Sequence, residues 1–367
     1  MSKSQEVRVI GVDLHPSCFA AAAMKNQHQR LWLHSRVNIL DLNNWLEKNI
    51  NFTDILVIEA GANSTAFCKT VIEFGAQCII LDSVRVGQIK KAYCKTDKDD
   101  CIKIAKCYLS GLSNKVWTPD NKTVIRREVL AKFQQAKKAV VKVKNMIRGY
   151  MTGHNLVRPT GVQIYSEKGK SWLIKSYNWD AIQIGLIELL YSDLNHAIQT
   201  KKALTSIIAK EVISDPKIMS LLKLCGVRTL TAFALAAAVG DINRFDCPKK
   251  LAAYLGLIPS VTQSGINKRH GATGKGGRKE TRTFMVQGAQ AILKSSDEYG
   301  AGFKQWGQTM TIKKGKNIAT IAIARKMAVA SWYHLMGYKT KIHIPTKSMK
   351  VKAYKIVADL GKEAILA

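Results

Sequence analysis

Acidic residues are the scarce ones in this chain: 26 Asp and Glu stand against 57 Lys and Arg, a formal charge of +31 over 367 residues. A compact chain with that imbalance repels itself unless a polyanion neutralises it, so nucleic acid is the expected partner. The basic residues run from Lys3 to Lys362 rather than gathering in one tail, which predicts an extended phosphate-tracking surface and strongly salt-dependent binding. An anionic membrane surface is the alternative partner. Paired cysteine spacing is also missing. The eight cysteines (Cys18, Cys68, Cys78, Cys94, Cys101, Cys107, Cys225 and Cys247) include no C-x-x-C, and most lie in apolar stretches, as expected of reduced core residues in a cytosolic protein. Long apolar runs are absent as well: the most apolar one, Ala232 to Gly240, is far too short to cross a bilayer, and the N-terminus shows no signal-peptide pattern. The expectation is a cytoplasmic, nucleoid-associated protein without targeting. A Walker loop is lacking too, because Arg269 stands where that motif wants glycine and Gly276 where it wants Ser or Thr after Lys275. Nor does Asp13-Leu14-His15-Pro16 offer the glycine-rich phosphate hairpin that an ATPase or sugar kinase would need there.

What the chain does have is 47% hydrophobic residues, enough at this length for two or three domains with real cores. The run Val7 to Asp13 is short and β-branched, and ends by placing Asp13 where a buried strand reaches the sheet edge. Ile55 to Glu59 repeats the pattern of buried strand followed by acid and small residues. Asp97 and Asp100, three apart at a helix start, share a face, so three segments could converge on one cation. Asp13 or Glu59 alone could instead be an edge-strand charge or a helix cap, a reading that weakens when Asp97 and Asp100 are taken with them. Strands are predicted at 7–13, 18–24, 30–37, 55–59 and 77–81 and helices at 40–49 and 64–74, an order that matches the ribonuclease H-like fold.

From Ile125 the pattern becomes a coiled-coil stripe, with apolar residues at Ile125, Val129, Phe133, Ala136, Val140, Val143, Ile147 and Tyr150. Gly149 to Gly161 interrupts it, and Ile187, Leu190, Leu194, Ala197, Leu204 and Ile208 suit an antiparallel return helix whose seam Lys201 breaks. An ordinary core hairpin and a protruding arm fit this pattern equally. Lys137, Lys138, Lys142 and Lys144 make its outer face basic. Leu221 to Val227, followed by the apolar helix Leu230 to Val239, resembles a helix-hairpin-helix element, whose turn amides can hold a phosphate; Arg228 stands where such hairpins often have a second glycine. Ser264-Gly265 and the loop Gly271 to Arg282, rich in glycine and cations, read as a phosphate-binding segment, although Ser264-Gly265 alone is also an ordinary polar turn.

These motifs, together with Arg244-Phe245 and Gly256 to Pro259, occur in the order seen in DEDD-type insertion-sequence transposases and the related Piv/MooV-type DNA invertases. The similarity covers roughly residues 7 to 335; Cys101 and Gly274 depart from residues usual in the family. The resemblance implies a RuvC-like α/β domain over 1–117, a coiled-coil region over 118–215, a mainly helical transposase domain over 216–340 and a basic C-terminal tail over 341–367. It further implies that Asp13, Glu59, Asp97 and Asp100 hold Mg²⁺, as a pair of ions roughly 4 Å apart, with Asp99 the rival for Asp100. Ser264 would be the nucleophile in strand cleavage and rejoining. Arg228, Lys268, Arg269, Lys275, Arg278 and Arg282 would hold the nucleic-acid backbone, and His15 and His270 read as bystanders. The implied partners are donor and target DNA, a non-coding bridge RNA, and further copies of the chain as a dimer or tetramer. A site-specific invertase working without RNA and a RuvC-like structure-specific nuclease are the alternatives; the segment 216–335 argues against the latter.

Overall fold

Alternating burial explains why the first strand lies inside a sheet. In β1 (Val9–Leu14), Ile10 and Val12 are buried on one face and Val9 on the other, because successive strand side chains point to opposite sides. The computed structural model describes residues 7–90, 97–264, 267–273, 277–338 and 344–361, and the chain divides into two units, 1–119 and 120–367.

The first unit is mixed α/β. After β1 come β2 (Cys18–Met24), β3 (Arg30–Asn38), α1 (Leu42–Asn49), β4 (Ile55–Glu59), α2 (Ser64–Phe74), β5 (Gln77–Leu81), α3 (Ser83–Lys90), α4 (Asp97–Leu109) and β6 (Lys115–Val116). The sheet order is β3-β2-β1-β4-β5-β6. The β1–β2 and β2–β3 pairs are antiparallel, and β1–β4 and β4–β5 are parallel. Leu46 of α1 and Phe67 and Val71 of α2 cover one face. On the other lies α4, through Cys101, Ile104 and Ala105. Four consecutive alanines in β2, Ala20 to Ala23, leave the room: Ala20 and Ala22 pack with Cys101.

The second unit is mostly helical. Its two long helices are α5 (Asn121–Gly153) and α7 (Ala181–Ser214), with α6 (Glu167–Lys175) between them. Asp120 caps α5 by accepting from the Thr123 amide, and Asp180 with Gln183 forms a capping box on α7. Val140, Val143 and Ile147 meet Ile187, Tyr191 and Leu194 along the shared seam. At its start the expected stripe is displaced: Ile125 is 59% exposed, whereas Arg126 and Leu130 are buried. Two partners rather than one explain the shift, since this end of α5 packs against both α7 and α9 (Thr229–Val239). The Arg126 guanidinium lies 2.7 Å from Glu211 Oε1 and 2.6 Å from Asp215 Oδ2. Burial alone would raise the Asp215 carboxyl, but the hydrogen bonds from Arg126, the Ile218 amide and Lys122, with the charge of Arg126, together outweigh it and hold the group below its ordinary range.

Preceding α9 is α8 (Pro216–Ser220), and following it are α10 (Pro248–Tyr254), the antiparallel pair β7 (Pro259–Ser264) and β8 (Asn267–Thr273), and the helices α11 (Lys279–Leu293), α12 (Asp297–Lys314), α13 (Lys316–Leu335) and α14 (Thr346–Leu360). The segment expected as a C-terminal tail therefore contains a helix, with Lys352 and Ile356 buried. Lys352 Nζ donates to the carbonyls of Leu222 (2.6 Å), Leu224 (3.0 Å) and Val227 (2.6 Å). Burial pulls its pKa down to about 8, and three carbonyl acceptors offset that cost. No described helix is long and apolar enough to cross a membrane.

Candidate functional site

Parallel pairing brings the first two carboxylates side by side. Val12 is the register partner of Ile58, so Asp13 and Glu59, each the next residue, leave neighbouring strands at the same end of the sheet. Helix α4 supplies the others, and Gly11 determines how closely it approaches. A Cβ at position 11 would land on the Cys101 carbonyl oxygen and 2.7 Å from the Ala105 amide nitrogen. Only hydrogen fits there. This contact sets the first turn of α4, which carries Asp97, Asp99 and Asp100, over the end of β1. Acidic side chains suit that turn, where the helix dipole favours negative charge.

His15 closes the group. Its Nε2 lies 3.4 Å from Asp13 Oδ2 and 3.4 Å from Asp97 Oδ1, and one ligand atom from each of the three residues falls within 4.8 Å of the others. The His15 amide donates to the Cys18 carbonyl (2.9 Å), and Asn63 Nδ2 donates to the His15 carbonyl (3.0 Å), which fixes the turn after β1 against the start of α2. Asp13 is mostly buried and Asp97 exposed. Asp100 is buried at 6% exposure, with Lys103 Nζ 3.6 Å from its Oδ1. Asp99 faces outward, so of these two neighbours Asp100 is the one turned toward the sheet.

The serine hairpin belongs to the second unit. Ser264 pairs with Asn267 at one end of the β7–β8 ladder, and Pro259 pairs with Thr273 at the other, roughly 17 Å away at a strand rise of about 3.4 Å per residue. Ser264, Lys268 and Arg269 thus lie on the ribbon in backbone terms, while their side chains, His270's and all of Lys275 fall outside the described residues. At the root of the ribbon the arginines cluster on Tyr254. Arg278 Nε donates to the Tyr254 hydroxyl (2.9 Å) and the Arg278 amide to the Tyr254 carbonyl (3.2 Å). Arg244 stacks 4.4 Å from the Tyr254 ring centroid and donates to the Val239 carbonyl, while Arg127 donates to that of Ala237, at the C-terminal end of α9. Burial would raise the Tyr254 phenol, but the Arg278 bond and the surrounding cations hold it below its ordinary value; burial and the neighbouring guanidiniums push Arg127 down to about 10. Arg282 Nη1 reaches the Gly256 carbonyl at 3.4 Å. Arg228 is exposed at the start of α9.

Sequence reasoning passed over Gly11, gave His15 only as a bystander, and passed over Tyr254. A glycine inside an otherwise β-branched strand is the available signal for the first. Histidine two residues after an edge aspartate is the signal for the second. Replacing Gly11 with valine is expected to push α4 off β1 and abolish any affinity of the acidic group for divalent cations, with the sheet's own content kept; far-ultraviolet circular dichroism and Mn²⁺ titration check this.

Together these features define an α/β unit with a carboxylate-rich candidate cation site, joined in one chain to a mainly helical unit bearing a serine ribbon. Residues 219–304 match the family described as Transposase IS116/IS110/IS902. Among relatives, the transposase-type protein y4qE of Sinorhizobium fredii is 26% identical over 62% of this chain and 56% of its own length. The transposase of insertion sequence element IS1111A from Coxiella burnetii is 25% identical over 78% of each chain. The pilin gene-inverting protein of Moraxella bovis is 25% identical over 88% of this chain and 94% of its own. The chain spans about half the length of the first and most of the other two. Insertion-sequence transposases and gene-inverting proteins are thus the proteins to which this chain is similar.

Proposed function

We propose that this chain is the recombinase of an insertion sequence, cutting and rejoining DNA with a carboxylate-held Mg²⁺ site and a serine nucleophile, guided by a non-coding bridge RNA. The observation that carries the reading is the meeting of Asp13, His15 and Asp97 within 4.8 Å beside Glu59 and Asp100. The sheet order, with acids at the ends of β1 and β4, supports a RuvC-like, ribonuclease H-like unit. The donor set suits a hard divalent cation, and the 3.4 Å spacings are those of adjacent ligands on one ion, since metal–oxygen distances of about 2.1–2.4 Å place neighbours about 3.0–3.4 Å apart. Such an ion would polarise the scissile phosphate and offset charge on the leaving oxygen.

In this reading the Ser264 hydroxyl attacks the phosphorus, its proton leaves, and the P–O bond to the adjoining nucleotide breaks, leaving that oxygen as a free hydroxyl. The phosphoserine ester preserves one phosphodiester's worth of bond, so the hydroxyl of a second strand can displace the serine without ATP. The cations at the ribbon's root, Arg278 and Arg282 among them, offset phosphate charge there. Ile182, Leu186 and Leu189 form an exposed apolar stripe on α7, which supports association with further copies of the chain.

The gene-inverting relative, aligned over 94% of its length, favours a second reading: inversion of flanked DNA without RNA. Recombination by purified protein before and after ribonuclease treatment separates the two. Loss of exchange, restored by adding back co-purified RNA, is expected; unchanged exchange on inverted sites selects the invertase.

A further inference from the structure

Between the start of α9, the turn joining α11 to α12, and α14 lies a groove of about 830 Å³. It opens beside the hairpin turn Leu224 to Arg228, the element whose amides the sequence offers as a phosphate cradle. Those amides are already engaged. The Gly226 amide donates to the Tyr299 hydroxyl at 3.1 Å, and the Val227 amide to the Leu224 carbonyl at 3.3 Å. Lys352, on α14, holds the Leu224 and Val227 carbonyls of the turn and that of Leu222 before it. Tyr299 therefore stands where a helix-hairpin-helix turn would take its phosphate, and the protein's own hydroxyl satisfies the donor. Any anion in this groove must be held by side chains.

The side chains are there. Arg228 precedes α9, Lys294 follows α11 and Lys355 projects from α14, and all three are exposed and line the groove together with Ser295. Three cations from three separate elements thus face one concavity. The lining has one acid, Asp359, whose carboxyl burial raises and nearby Lys355 lowers, for a net upward shift. Neither Arg228 nor Lys294 forms a salt bridge among the described residues. Like charges held toward one cavity repel each other until a polyanion enters; the Ser295 hydroxyl beside them already donates to the Ile292 carbonyl at 2.8 Å, so the three cations carry the contact.

We propose that this groove binds the phosphodiester backbone of a nucleic acid through Arg228, Lys294 and Lys355, as a contact separate from the serine ribbon. The proposal rests on the reading that the chain works on nucleic acid. The test uses the full chain with two probes, a labelled DNA duplex of mixed sequence and a labelled single-stranded RNA, and measures fluorescence anisotropy across a range of KCl concentrations. Changing the three residues to alanine together should reduce the slope of log affinity against log salt by about 0.9 per lost contact on duplex DNA, or about 0.7 on single-stranded RNA. Whichever probe shows the reduction identifies the source of the backbone. The charge-retaining set Arg228→Lys, Lys294→Arg and Lys355→Arg should keep the wild-type slope, which separates lost contacts from damaged folding. Alanine at three exposed lysines elsewhere, Lys48, Lys168 and Lys202, sets the effect of charge loss alone. Equal slopes for the groove and control triples on both probes would overturn this proposal while leaving the recombinase reading intact. Failure of the wild-type chain to bind either probe would overturn both.

Discussion

Asp13→Ala is expected to lower strand exchange by about three orders of magnitude, roughly 4 kcal/mol of transition-state stabilisation, while affinity for DNA and RNA stays near wild type. The reason is positional. Asp13 is the mostly buried carboxylate at the centre of the group, next to Glu59 in register and 3.4 Å from His15, so its loss empties the middle of the site rather than its rim. Removing a negative charge from a cluster of acids also relieves repulsion, and the variant's thermal midpoint without divalent metal should not fall. What should disappear is the rise in midpoint that Mg²⁺ gives the wild type, because ligand-linked stability scales with affinity for the folded state. Differential scanning fluorimetry with and without Mg²⁺, beside a recombination assay, checks both halves. Full recombination by Asp13→Ala in Mg²⁺ would remove the acidic group from the chemistry.

Ser264→Ala should have an equal or larger effect on exchange, again with binding preserved. A serine hydroxyl is a weak nucleophile at neutral pH, and the sequence places no histidine or lysine as its base, so the phosphate is to be activated instead. Alanine at 264 then leaves the substrate bound and charged groups in place with nothing to attack. Ser260 provides the internal comparison: it lies on the same strand near the root of the ribbon, at the Pro259–Thr273 end of the ladder. Ser260→Ala should retain most activity. A quantitative exchange assay on both variants, with anisotropy to confirm binding, decides whether position 264 or the strand as a whole matters.

Much of the acidic site was legible because the strands that carry it are short buried runs ending in acids: β1 and β4 could be read from Val7 to Asp13 and Ile55 to Glu59 alone. Asp97 was legible as the start of a helix. What brings α4 onto β1, however, is a contact between Gly11 and Cys101, residues about ninety positions apart, and no local pattern encodes it. His15 looked like a bystander for the same reason, since its neighbour Asp97 comes from another segment. The long-helix stripe was read correctly from Phe133 to Ile147, where one partner helix sets the period, and shifted at Ile125, where α5 meets two helices and the ion pairs of Arg126 are buried. Arginines at 278 and 282 were legible as cations beside a glycine-rich loop. That Arg278 binds Tyr254, with Arg127 and Arg244 joining from distant segments, depends on how α5, α9 and α10 pack and could not be seen in the loop itself.

The central claim, that one chain combines a metal-dependent acidic site with a serine nucleophile, is tested most directly by trapping. A nicked suicide DNA substrate, on which rejoining is impossible, is incubated with the wild-type protein and Mg²⁺, and the product is digested and analysed by mass spectrometry. The account predicts a covalent protein–DNA adduct whose phosphate sits on the peptide containing Ser264, absent in chelator and absent from Asp13→Ala. An adduct that persists in Ser264→Ala, or efficient strand cleavage in Mg²⁺ with no adduct at all, would contradict it.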